Sequence, residues 1–207
     1  GRTIPSSQVK AKTIANWIRK CEDWHGGDCD RMITSTSSGN LQTLRLIDTW
    51  RLCIVECSIY YLYLTLSYVW GNASPFELKS VNVDELGTPG ALKTLWEQIP
   101  RTIQDAIRFT SKLRKRWLWV DSMCIIQDSD DDKSLYIPHM HVVYDRALLT
   151  IVAATGDSAD AGLPGIRRGS GVRGQSIKEI IPGFRLVYLP DLRRAFSDCW
   201  YETRAWT

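Results

Sequence analysis

Missing from this 207-residue chain is the strand, glycine-rich loop and helix unit of the P-loop or Rossmann kind, so no nucleotide site is built on either. There is no Gly-x-Ser-x-Gly elbow and no His-Glu-x-x-His, which removes the α/β-hydrolase and zincin mechanisms. Internal repeats are absent, and so is any long run of one charge sign. Lys plus Arg number 26 against 23 Asp plus Glu, a net charge of +3, so a nucleic-acid binder held mainly by phosphate contacts is not expected. No basic-then-apolar leader opens the chain, and its six cysteines do not make a secreted disulfide scaffold. The expectation is a reducing compartment and a cytoplasmic protein.

What is present is ordinary globular composition, 44% hydrophobic and 24% charged, enough to bury the core of one domain with a short appendage. The most apolar run, residues 52–70, contains Glu56 and several hydroxyls and is rich in Tyr, Ile and Val. It reads as buried strand and not as a membrane span.

Ile14, Trp17, Ile18 and Cys21 have helical spacing, closed by His25-Gly26-Gly27, and residues 34–40 form a polar linker. Residues 1–40 are therefore an N-terminal helical appendage and 41–207 the main domain. Residues 41–47 and 51–57 predict a hairpin, and 61–70 a strand covered on both faces, as in a parallel sheet. A short helix is expected around 91–98. A longer one starts at Thr102, with Thr102 and Asp105 at capping-box spacing and a basic C-terminal turn of Lys112, Arg114, Lys115 and Arg116. Residues 117–126 predict a buried strand with Asp121 inside it, 134–146 a helix, 148–155 a strand, 156–174 a loop and 184–189 a last strand. Strands alternating with helices predict an α/β fold with a mostly parallel sheet flanked by helices.

Four groups of residues carry candidate chemistry. Cys21, His25 and Cys29 stand four residues apart and suit three ligands of a zinc ion; the alternative is a cluster of free thiols with a surface histidine. Asp128, Asp130 and Asp132 match the first ligand positions of a calcium loop, but Lys133 and His139 occupy its sixth and twelfth positions, so a capped helix N-terminus is the simpler account. Asp121 is costly to bury in an apolar strand unless paired, and open α/β sheets bind ligands at strand carboxyl ends. Its role is either structural, with an arginine such as Arg101 or Arg204, or catalytic. Cys124, with Gln127 and Asp128 at the strand exit, is either a buried small hydrophobe or a nucleophile based on His139 or His141.

Several blocks together resemble the heterokaryon-incompatibility (HET) domain of filamentous fungi: residues 66–71 (Leu-Ser-Tyr-Val-Trp-Gly), 99–107 (Ile-Pro-Arg-Thr-Ile-Gln-Asp-Ala-Ile), 117–128 (Trp through Gln127-Asp128), 140–154, Gly162-Leu163-Pro164-Gly165 with Arg167, and Arg204-Ala205-Trp206-Thr207. They stand in family order over roughly residues 41–207. Three departures are visible: Trp117 replaces a usual Tyr, Pro138 interrupts a helix that often carries a glutamate, and the block after Trp206 is missing, so the domain is expected to be C-terminally truncated. The resemblance implies a cytoplasmic effector of non-self recognition, a fungal form of innate immunity ending in programmed cell death. It also implies a recognition or trigger module as partner, a homo-oligomer, and a distant TIR-like, flavodoxin-like three-layer architecture with NAD as a substrate to be hydrolysed. The site residues it implies are Asp121, Asp128 and Cys124 as catalytic candidates, and Tyr68, Trp70, Gly71, Arg101, Asp105, Gln127 and Arg204 as ligand-binding ones. Asp121, Asp128, Arg101 and Arg204 are expected to converge on one cleft. The alternatives are a non-catalytic oligomerising signalling module and an inert copy.

Overall fold

The computed structural model describes residues 8–25, 41–71, 76–154, 156–171, 177–187 and 199. Its first helix, α1 (Ala11–His25), covers the expected segment and extends it at both ends. Val9, Ala11, Ile14 and Ala15 pack against the main core, and the Val9 N–H donates to the Gly165 carbonyl at 2.9 Å. Helix α1 thus packs against the core through one apolar face. The linker at 34–40 lies outside the described residues.

Strands β1 (Thr43–Asp48) and β2 (Cys53–Ser58) form the expected hairpin, in register from Thr43 opposite Ser58 to Asp48 opposite Cys53. Leu44 and Leu46 alternate inward with no exposed surface, the period that a half-covered strand requires. β3 (Tyr63–Ser67) has Tyr63, Leu64, Thr65 and Leu66 all buried, because it sits inside the sheet with parallel neighbours on both sides. Those neighbours are β4 (Trp117–Trp119) and β5 (Leu149–Val152).

The strand order is β2-β1-β4-β3-β5, and β1 runs antiparallel to β4. The sheet is therefore mixed, where a mostly parallel one was expected. The reason is local: four residues join β1 to β2, and so short a link connects only antiparallel neighbours. The expected parallel arrangement is confined to β4, β3 and β5. Around the sheet stand α2 (Val83–Gly87), α3 (Ala91–Thr94), a 3₁₀ turn (Trp96–Gln98) and α4 (Arg101–Lys112), which packs on β3 and β4. No helix among the described residues is long and apolar enough to cross a membrane.

Three local expectations are corrected. The strand expected at 117–126 ends at Trp119, and Asp121 opens a single helical turn, α5 (Asp121–Cys124), in which the Asp121 carboxylate accepts the Ser122 N–H at 2.8 Å. Asp and Ser favour helix starts over strand interiors because their side chains bond nearby backbone. The helix expected at 134–146 starts earlier and divides into α6 (Asp130–Tyr136), a 3₁₀ turn (Ile137–His139) and α7 (Met140–Asp145), since Pro138 lacks the donor a continuous helix needs. The capping box at Thr102 does not form. Pro100 stands at the N-cap of α4 without a side-chain capping bond, and the Thr102 and Asp105 side chains turn to the 162–167 loop, where they accept the N–H of Gly162 at 3.0 Å and of Leu163 at 2.9 Å. The last expected strand is β7 (Phe184–Val187), which pairs with a strand missed in the sequence, β6 (Ile177–Ile181), in a separate two-stranded sheet.

Candidate functional site

The carboxyl ends of the three parallel strands open on a cleft of about 730 Å³. Ligands of open α/β sheets bind at this place because strand exits leave backbone groups and loop side chains converging there. Ser67 reaches the cleft from the end of β3, Asp121, Ile125 and Gln127 from the exit of β4, and Thr150 and Val152 from β5. Trp70, Lys133 of α6 and Met140, His141, Tyr144 and Asp145 of α7 also line it.

Asp121 is held in place rather than left loose. One carboxylate oxygen accepts the Ser122 N–H and the other faces the Trp70 Nε1, which donates at 3.2 Å. The Gln127 amide donates to the Asp121 carbonyl at 3.1 Å and the Ile125 carbonyl at 2.9 Å, fixing the loop that follows. Behind them the buried Tyr68 hydroxyl donates to the Ser122 hydroxyl at 2.9 Å. Gly71 ends the segment with φ +65°, and a Cβ there would lie 2.7 Å from the Asp157 carbonyl oxygen. Only glycine satisfies both the left-handed backbone and that close approach. Trp70, Gln127 and Asp121 therefore share the cleft, and Tyr68 and Gly71 support it.

The expected convergence of four charged residues does not occur. Among the described residues of that set only Asp121 lines the cleft. Asp128 is exposed on the surface, where it accepts the Ser80 N–H at 2.8 Å and the Ser80 hydroxyl at 3.1 Å, and the backbone bond holds its carboxyl below the usual range. Arg101 is exposed at the start of α4, its N–H bonded to Asp160. Asp105 is fully buried, paired with Arg167 at 3.0 Å and Arg108 at 3.4 Å, and so anchors the 162–167 loop to α4. Arg204 lies outside the described residues.

Cys124 is sealed in the core, where burial above all pushes its thiol up to about 12, even though its sulfur accepts the Val120 N–H. A protonated, inaccessible thiol is no nucleophile. His139 bonds the Leu135 carbonyl at 2.8 Å instead of any thiol. Cys21 and His25 lie on α1, and Cys29 lies outside the described residues; among the described residues no group of three or more His, Cys, Asp or Glu side chains is placed to hold a metal. The spacing Gly169-x-Gly171-x-x-Gly174 does occur in the sequence, but among the described residues a loop precedes it and β6 is the next element, so neither the strand nor the helix that such a phosphate loop requires is found among them.

Sequence reasoning missed Lys133, Tyr144, Asp145 and the hydroxyls of Ser67 and Thr150 as cleft residues, and treated His141 only as a partner for Cys124. One signal was readable: His141 and Asp145 are four apart, hence on one helix face. It placed Asp132 only in the acidic stretch at a helix start and did not foresee that this residue is nearly buried while Asp130, two positions before it, is solvated. Its carboxylate takes the Arg45 guanidinium of β1 in a forked pair, at 2.5 and 2.8 Å, and the Ile126 N–H at 2.7 Å. This pair braces α6, and with it Lys133, against the sheet.

Residues 63–207 match the family model for heterokaryon incompatibility protein (HET), and the chain belongs to that family. It is similar to heterokaryon incompatibility protein 6, OR allele, of Neurospora crassa, with 28% identity over 94 residues. The match covers 44% of this chain and 14% of that protein. No solved structure matches the chain. Family membership supports a role in heterokaryon incompatibility.

Proposed function

We propose that the chain is an effector domain of non-self recognition whose output is regulated cell death, and that its cleft hydrolyses the nicotinamide–ribose bond of NAD. The observation that carries this reading is Asp121, a hydrogen-bonded carboxylate in a 730 Å³ cleft at the exits of parallel strands. In the reaction the ribose C1′–nitrogen bond breaks and its electron pair leaves on the nicotinamide ring, neutralising that ring's charge. Water then adds to C1′ and releases a proton. The positive charge that builds on the ribose in between is what a fixed carboxylate stabilises.

The cleft has the walls this substrate needs. Trp70 and Tyr144 offer aromatic surface, Ile125 and Met140 apolar surface, and Lys133 a cation for the pyrophosphate in place of Arg101. Lys133 pairs with Asp130 at 3.1 Å, but Asp130 is almost wholly exposed, so that pair exchanges readily for a ligand phosphate. A distant kinship with TIR domains fits the parallel trio β4, β3 and β5 and leaves the antiparallel β1–β2 hairpin as a departure from it.

The test is a time course of cellular NAD and viability after induced expression in a fungal host. NAD is expected to collapse before viability falls, and Asp121→Asn, with an unchanged melting temperature, to abolish both. Death with NAD intact overturns NAD cleavage; NAD loss retained by the folded variant overturns the role of Asp121.

A further inference from the structure

The end of the sheet opposite the cleft carries a second surface, where the strands of the parallel trio begin. Ahead of β3 stand Tyr60, Tyr61 and Leu62, exposed by 52%, 48% and 59%, and beside them is Trp50 of the hairpin turn, exposed by 60%. Single exposed apolar residues are ordinary, but these lie together. Tyr61 stacks on Trp117 with ring centroids 5.6 Å apart. The Arg116 guanidinium lies 4.4 Å from the Trp117 ring and 5.5 Å from that of Trp50. Asp48, fully buried behind the patch, holds Arg116 through two hydrogen bonds of 2.6 and 3.0 Å, so the arrangement is set before any partner arrives. Trp, Tyr and Arg are the residues that anchor protein interfaces, because each couples large apolar area to a directional polar group.

We infer that this aromatic and basic patch binds the acidic segment Asp128–Asp131 of a second copy of the chain, end to end. Charge complementarity names the occupant. Arg114 and Lys115 border the patch at the start of β4, while Asp128, Asp130 and Asp131 follow the exit of the same strand, all three exposed and Asp130 by 98%. The two surfaces differ and sit at opposite ends of the sheet. Such a contact is heterologous and does not close on itself, so copies add in a row rather than stopping at a symmetric pair. This inference rests neither on Asp121 nor on NAD cleavage, although Asp130 also pairs with Lys133 of the cleft at 3.1 Å.

Sedimentation velocity of this chain over a concentration series tests it, at about 0.05 M and about 0.5 M salt. The expected result is a mean mass that rises beyond two copies with concentration and falls with salt. Trp50→Ala with Tyr61→Ala removes the aromatic anchors of the basic end and Asp130→Lys with Asp131→Lys reverses the charge of the acidic end; each double variant, checked as folded by circular dichroism, is expected to weaken self-association by at least about tenfold. Mixed in equal amounts, the two recover a dimer and nothing larger, since one intact end of each remains. A monomer at every concentration, association untouched by either variant, or two folded variants that fail to pair overturns the inference.

Discussion

Truncating Asp132 probes the brace between sheet and cleft wall. Asp132→Ala removes the acceptor of the Arg45 fork and of the Ile126 N–H, at 2.5, 2.8 and 2.7 Å. Removing one partner of a buried pair costs about 3–5 kcal/mol, because the other charge stays desolvated. Arg45 keeps the Cys124 carbonyl at 3.2 Å and the Tyr136 ring at 5.4 Å, which places the loss near the low end, about 3 kcal/mol. For a chain of this size that lowers the melting temperature by about 6–12 °C. Urea unfolding followed by tryptophan fluorescence measures it, with limited proteolysis reporting whether residues 126–136 open first. Replacing both partners, Arg45→Met with Asp132→Leu, is expected to recover most of the loss, since no charge is then stranded. A cost below about 1 kcal/mol for Asp132→Ala, or a double variant no better than it, refutes the reasoning.

Further predictions follow from the same geometry. Burial works against the Asp48 carboxylate, but the Arg116 hydrogen bond and the Arg51 and Trp50 N–H groups outweigh it and hold the group below its usual range. A depressed folded value contributes stability above the unfolded carboxyl value of about 3.9 and loses it as pH falls through the folded one. Asp48→Asn is therefore expected to cost about 2–3 kcal/mol at neutral pH, with the gap from the unaltered chain closing below about pH 4; a gap constant with pH contradicts this. Arg114 has φ +58° one residue past the cap of α4, with Arg114 N–H to Ser111 and Lys115 N–H to Thr110, the Schellman position that glycine favours. Arg114→Gly is expected to raise stability by about 0.5–1 kcal/mol in thermal unfolding. Iodoacetamide at about pH 8 is expected to label exposed Cys21 in the folded chain and to reach Cys53, Cys57 and Cys124 only on unfolding, since burial pushes Cys57 up to about 11 and Cys124 to about 12; mass spectrometry reads the order.

Short-range pattern in the sequence determined much of the molecule. The β1–β2 hairpin, the wholly buried β3, the long helix α4 and the break at Pro138 all follow from periodicity, turn residues and the missing proline donor, each of which acts within a few positions. The family blocks likewise marked Trp70, Asp121 and Gln127, which the cleft brings together. What only the tertiary structure decided was which charges face that cleft and how the strands are ordered. Asp121 and Asp128 look equivalent in a string of residues. Their separation depends on Trp70, 51 positions from Asp121, and on Ser80, 48 from Asp128. Asp132 was hidden among solvated neighbours because its partner Arg45 lies 87 residues away on β1. Asp105 likewise looks like a cap until the 162–167 loop, some 60 residues on, claims its carboxylate. A carboxylate's role is set by the donors that reach it, and in a folded chain those donors come from whatever the sheet order brings near, not from what stands beside it in sequence.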